Sequence, residues 1–234
     1  MTTTENAWDT KHYHLNKLGA YDLTPASFLI DKVPFFKSQG VKRVLDAGCG
    51  QGRNCAYLLD QEFQIYGVDS SSSALLLCER LMDSKCRLSR DLSQPSRYHL
   101  YNRRLEELDH IFAPDSLDAV VSVTVLTHIL DAEKVINQFY RALKPEGYVL
   151  ADFANPKDST YKYVSKGERI GDNAFLEEGT TVVYRNKREV KSLFPRDKWE
   201  ILELNRIRFT EPPHPGSRPF EHQHCSYVIL ARKK

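Results

Sequence analysis

The stretch VLDAGCGQGRN, Val44–Asn54, decides the fold. It begins as an apolar run, bends through Gly48, Gly50 and Gly52, and passes into a segment of helical composition. A buried strand over Val41–Ala47 therefore ends in a glycine turn, and a helix over Arg53–Gln61 follows, with Asn54 as its cap residue. Glycine permits the tight bend and lets a ligand approach bare backbone. The helix start beyond it offers unpaired N–H groups and a field that favours anionic groups. A second strand, Phe63–Val68, stops at Asp69, 17 residues after Gly52. A carboxylate at that tip can accept hydrogen bonds from both hydroxyls of a ribose.

The pattern continues outward in both directions. Pro25–Lys37 reads as a helix, as does Ser73–Met82 behind its serine-rich start. Strands are expected near Tyr98–Asn102, over Leu117–Val125 and over Tyr148–Phe153, with an amphipathic helix at Asp131–Leu143. This alternation predicts an α/β fold: a Rossmann-like, seven-stranded, mostly parallel sheet with helices on both faces. Residues 154–184 read as an irregular insertion. Asn186–Glu189 opens a short helix as a capping box. Trp199–Phe209 and Ser226–Arg232 complete the sheet as an antiparallel last pair. The expected organisation is one domain over 1–234, with a helical lid segment at 1–40 and an acceptor-side insertion at 154–184.

Composition narrows the class. The chain has 234 residues, 41% apolar and 27% charged, with a formal charge of +2. Such a balance gives no strong pull toward nucleic acid or an anionic membrane. No apolar stretch approaches the length of a membrane span, and residues 1–16 lack the apolar core of a secretory signal. The five cysteines, at 49, 55, 78, 86 and 225, form no CxxC pair, so neither a disulfide framework nor a metal site is expected, and a reducing cytoplasm fits.

Two nucleoside cofactors compete for the glycine loop. A dinucleotide fingerprint, G-x-G-x-x-G/A, would need its third glycine at Arg53 or at Cys55, and neither register fits. The pattern present, D-x-G-x-G-x-G, resembles motif I of the class I S-adenosylmethionine (SAM)-dependent methyltransferases. Four further segments resemble that family in order: Ser116–Val120 at the start of strand four, Val125–Ile129 after it, Leu143–Gly147 before strand five with Glu146 in place of a glycine, and Ile229–Lys233 at the end. A narrower resemblance, carried by GCGQGRN, by Ser122–Leu126 and by the terminus Leu230–Lys234, is to the tellurite-resistance type. There, arginines expected near the last strand are replaced by His214, His222 and His224.

The resemblance implies SAM as cofactor, S-adenosylhomocysteine as product, and a small-molecule acceptor of the methyl group. It places Asp46, Gly48, Cys49, Gly50, Gly52, Asn54, Asp69, Ser70, Leu105, Glu106, Thr124 and Tyr13 at the cofactor. A non-catalytic SAM-binding partner or sensor is the alternative. His128 stands where the family faces the cofactor; proton transfer and local packing are both open to it. His222 and His224 share a strand face and either line the acceptor pocket or cover an exposed strand end. Trp8, Tyr13 and Tyr21 are a lid over the sulfonium or packing for the N-terminal segment. Tyr161, Tyr163 and Tyr184 are acceptor contacts or insertion packing. Arg185, Lys187, Arg188 and Lys191 are expected to be a solvated helix face rather than an RNA contact.

Overall fold

The computed structural model describes residues 7–12, 23–88, 97–211 and 221–234. In chain order the elements are a helical stretch over 7–12 (α1), α2 (Ser27–Ser38), β1 (Arg43–Ala47), α3 (Arg53–Asp60), β2 (Gln64–Asp69), α4 (Ser72–Leu88), β3 (Tyr98–Asn102), β4 (Leu117–Ser122), α5 (Ala132–Ala142) and β5 (Leu143–Ala154). Then come α6 (Tyr161–Val164), β6 (Glu168–Gly171), β7 (Ala174–Glu177), β8 (Thr180–Val183), α7 (Lys187–Ser192), β9 (Trp199–Glu211) and β10 (His222–Lys233). Short 3-10 turns at Leu105–His110 and Leu126–His128 follow β3 and β4.

The main sheet has seven strands in the order β3-β2-β1-β4-β5-β10-β9. β1, β2, β3, β4 and β5 pair in parallel, while β10 runs antiparallel to both β5 and β9. Parallel strands covered on both faces are apolar throughout, and β1 and β4 are almost wholly buried. Their residues alternate between two cores. Leu45, Val120 and Val149 pack with Val135, Ile136 and Phe139 of α5 on one face. Val44, Ala119 and Val121 pack with Leu29 and Phe36 of α2, Leu58 of α3 and Met82 of α4 on the other. Burying a side chain such as Phe139 is worth about 1.5–3 kcal/mol.

Three sequence expectations need correction. Residues 154–184 are not irregular: β6, β7 and β8 form a separate antiparallel sheet, because Gly179, at φ +78°, closes the β7–β8 hairpin. β4 stops at Ser122 rather than Val125, since Thr124 adopts φ +58° and leaves the ladder. β10 begins at His222, not Ser226, pairing His222 with Glu211 and His224 with Phe209. The Asn186 capping box is present, with Arg188 and Glu189 N–H groups donating to the Asn186 side chain. Glu146 takes φ +65°, the left-handed conformation for which glycine is suited, and Arg232 pairs with its carboxylate at 2.7 Å.

Candidate active site

β1 lies between β2 and β4, where the strand order reverses. A crevice opens there at the carboxyl ends of the strands, as α/β sheets generally provide. The cavity is about 720 Å³, a size suited to a nucleoside cofactor with room for a second molecule. Its lining includes Gly48, Cys49, Gly50, Asp69 and Ser70 from the glycine loop and the end of β2, together with Trp8, Leu23, His128, Leu130 and Thr181.

Gly48 and Gly50 have φ +78° and +52°. A Cβ at Gly48 would stand 2.3 Å from Val125 Cγ2, so only hydrogen fits. At Gly50 the nearest atom would be His12 Cε1 at 3.9 Å; that backbone faces open cavity. The Gly50 N–H donates to Asp69 Oδ2 at 2.8 Å and the Ser71 N–H to Oδ1 at 2.9 Å. Each oxygen keeps acceptor capacity for a ribose hydroxyl. Burial raises the Asp69 carboxyl, and the Ser71 and Gly50 hydrogen bonds pull it back.

Eleven sequence-predicted residues meet at this cavity: Trp8, Gly48, Cys49, Gly50, Asn54, Asp69, Ser70, Leu105, Glu106, Thr124 and His128. Thr124 is held in its strained backbone by its N–H donating to buried Asp152 at 2.6 Å. Asn54 Oδ1 accepts the Ala26 N–H at 3.1 Å, tying the α3 start to the segment before α2.

Other expectations fall elsewhere. Asp46 lies behind the loop, 1% exposed, accepting the Cys55 thiol at 3.2 Å. Gly52 is the left-handed cap of α3, and a Cβ there would meet Cys78 Sγ at 2.5 Å. His222 and His224 are not among the residues lining the cavity. His224 Nδ1 instead lies 3.0 Å from Asp158, whose Oδ2 also accepts the Cys225 N–H and whose Oδ1 accepts Thr160 N–H, so this is a buried network joining β10 to the β5–α6 connection. Tyr184 packs edge-on against Tyr161 in the small core of the insertion, away from the cavity. Tyr13 and Tyr21 lie outside the described residues. Arg185 is not solvated: it is 7% exposed and donates to the carbonyls of Leu126, Ile129 and Leu130. Burial lowers its pKa to about 10.

α1 brings Trp8 and His12 to the cavity wall. The Asp9 carboxylate accepts Ser71 Oγ at 2.8 Å and Ser73 N–H at 3.0 Å, capping α4 from outside. His12 Nδ1 lies 2.9 Å from Gln51 Nε2, and burial lowers its pKa against the raising effect of Asp69. Trp8 meets the His128 ring edge-on, centroids 4.7 Å apart. The His128 Nδ1 is 2.7 Å from the Thr181 carbonyl. A carbonyl only accepts, so in the neutral ring Nδ1 carries the hydrogen and Nε2 the lone pair. Sequence reasoning missed His12, Gln51, Arg103, Leu130 and Thr181 as wall residues. Only Gln51, set between two loop glycines, carried a signal.

A reversed-order parallel sheet, a glycine loop at the switch point and an acid on the adjacent strand tip define the nucleoside-binding fold of class I methyltransferases. Residues 45–151 match the family model of a methyltransferase domain. Phosphoethanolamine N-methyltransferase 2 of Caenorhabditis elegans is 32% identical over 109 residues, covering 46% of this chain and 22% of that protein. Glycine/sarcosine N-methyltransferase of Aphanothece halophytica is 28% identical over 148 residues, covering 60% of this chain and 52% of that one. The chain thus spans about half or less of the length of these relatives. Among solved structures, the 1,6-didemethyltoxoflavin-N1-methyltransferase of Burkholderia thailandensis, with bound 1,6-didemethyltoxoflavin and S-adenosylhomocysteine, superimposes with TM-score 0.62 at 17% identity, covering 98% of this chain and 88% of that one. TehB from Haemophilus influenzae superimposes with TM-score 0.60 at 19% identity, covering 87% and 62%. Residues 45–151 are thus similar to the methyltransferase domain family, and the chain shares its fold with a structure of an S-adenosylmethionine-dependent methyltransferase from Methanosarcina mazei. The bare Gly50 backbone and the Asp69 carboxylate suit that nucleoside. No helix among the described residues is long and apolar enough to cross a membrane.

Proposed function

We propose that this chain transfers the methyl group of SAM to a small-molecule acceptor by in-line displacement. The observation that carries the reading is a single cavity lined both by Gly50 and Asp69 and by Trp8, His128 and Thr181. Its volume of about 720 Å³ leaves room for a second molecule beside a nucleoside, as a displacement requires. SAM supplies a methyl already activated by its sulfonium. The chain's own work is alignment, water exclusion and proton removal. Asp69 and the Gly48–Gly50 backbone bind and orient the nucleoside.

Trp8, Leu23 and Leu130 give the cavity apolar surface for the acceptor, Leu23 and Leu130 being 50% and 57% exposed. His128, oriented by the Thr181 carbonyl, presents Nε2 as the acceptor for a proton leaving the methyl acceptor. Arg185 holds the 126–130 turn that carries His128; Thr181 of the 154–184 insertion meets His128 directly, so the insertion shapes the acceptor site and α1, within the 1–40 segment, acts as its cover. His224 positions β10 through Asp158, with the His222 ring packed edge-on against it, rather than meeting the acceptor.

The test is transfer of label from methyl-labelled SAM into small molecules of a cell extract, with calorimetry of S-adenosylhomocysteine alongside. Labelled product that falls with His128→Gln while S-adenosylhomocysteine binding persists supports the reading. Saturable binding with no product overturns it in favour of a non-catalytic SAM-binding module.

A further inference from the structure

Behind the glycine loop three sulfurs meet that are far apart in sequence. Cys49 lies between Gly48 and Gly50, Cys55 near the start of α3, and Cys78 on α4. Their Sγ atoms all lie within 4.8 Å of one another. All three are free thiols and buried, at 5%, 0% and 0% exposure. Backbone closes around them: a Cβ at Gly67 would stand 3.0 Å from Cys49 Sγ and 3.4 Å from Cys55 Sγ. Asp46 adjoins the cluster. Its Oδ2 accepts the Cys55 thiol at 3.2 Å, while its buried Oδ1 has no hydrogen-bond partner. A buried carboxylate oxygen left unpaired is costly, and a cation relieves it.

We propose that Cys49, Cys55, Cys78 and Asp46 form a binding site for a thiophilic metal ion of the zinc class. Three sulfurs and one oxygen match a four-coordinate tetrahedral preference and exclude calcium and magnesium, which take oxygen ligands. Metal–sulfur bonds of about 2.3 Å put tetrahedral sulfurs about 3.8 Å apart. The three sulfurs therefore have to close by only about 1 Å at their widest, while Asp46, held at Cys55 and outside that group, has to swing in to complete the set. As each sulfur–metal bond forms, the thiol proton leaves to solvent, with no electron transferred. The absence of a CxxC pair gave no sign of this, because the fold draws one ligand from a loop and two from different helices. Cys49 belongs both to this site and to the cavity wall, so the ion would brace the loop from behind. The proposal stands apart from methyl transfer and is read without it.

The reduced, chelator-treated full chain is titrated with Co²⁺ and then Zn²⁺. The expected result is one Co²⁺ per chain with thiolate-to-cobalt charge-transfer absorption and the visible bands of a tetrahedral site, displaced by one Zn²⁺. Cys55→Ser and Cys78→Ser each weaken binding at least about tenfold, whereas Cys86→Ser leaves it unchanged. Asp46→Asn weakens it while the charge-transfer band persists. Should a variant fail to fold, alkylation of the wild-type chain decides: Zn²⁺ protects Cys49, Cys55 and Cys78 together. No charge-transfer band at saturating Co²⁺, or no such protection, overturns the proposal.

Discussion

Gly48 and Gly50 sit two residues apart in one loop, yet an added methyl should damage different properties at each. In Gly48→Ala the new Cβ would lie 2.3 Å from Val125 Cγ2 and 2.7 Å from Cγ1, at φ +78°. The left-handed backbone costs an L-residue about 1–2 kcal/mol, and overpacking adds about 1–3 kcal/mol. Together these remove about 2–5 kcal/mol from a domain whose whole stability is typically about 5–15 kcal/mol. In Gly50→Ala the nearest atom is 3.9 Å away, so only the backbone cost applies, at about 1–2 kcal/mol. That methyl points into the cavity where the nucleoside lies close to the backbone. If the clash costs the complex about 1–3 kcal/mol, S-adenosylhomocysteine affinity falls about five- to 150-fold. Urea unfolding and calorimetry on the two variants separate the effects. Val125→Ala in the Gly48→Ala background should recover at least about 1 kcal/mol relative to additivity, since the residues touch. Gly48→Ala that unfolds like wild type, or Gly50→Ala that binds like wild type, would refute the geometry from which these figures come.

Asp69→Asn replaces an acceptor-only carboxylate with an amide and should weaken S-adenosylhomocysteine binding about tenfold or more while the fold persists, read by calorimetry. His12 is docked with a lowered pKa, so the undocked segment binds the proton more readily and docking weakens as pH falls below about 6.5. Trp8 fluorescence followed from pH 8 to pH 5 should report that loss, and His12→Gln should flatten the profile. Arg185→Lys keeps the charge but not the planar fork that reaches three carbonyls, and should destabilise by about 1–3 kcal/mol. It should also lower kcat more than it raises KM, because the turn carrying His128 loses its brace; denaturation and steady-state kinetics with an identified acceptor check the two parts.

The core of this fold was readable because its signals are local. An apolar run into three glycines, a second run ending at Asp69 and the Asn186 capping box each lie within a short window, and each element formed where expected. What escaped was settled by distant partners. β6, β7 and β8 are short strands that stabilise one another, and no single one carries a period long enough to read. Arg185 resembled its solvated basic neighbours until three carbonyls from the 126–130 turn were placed around it. His222 and His224 share a face as predicted, but what that face meets is Asp158, 66 residues away from His224. Thr181 enters the cavity wall from a hairpin whose position depends on the whole sheet.

α1 is attached to the domain at three points. Asp9 clasps the start of α4, His12 touches the glycine loop and Trp8 leans on His128, so one short helix is fastened to both the loop and the turn that line the same chamber. If the chain acts as proposed, an exit route past α1 would require these three contacts to break, and Asp9 would then tune product release without touching the reacting atoms.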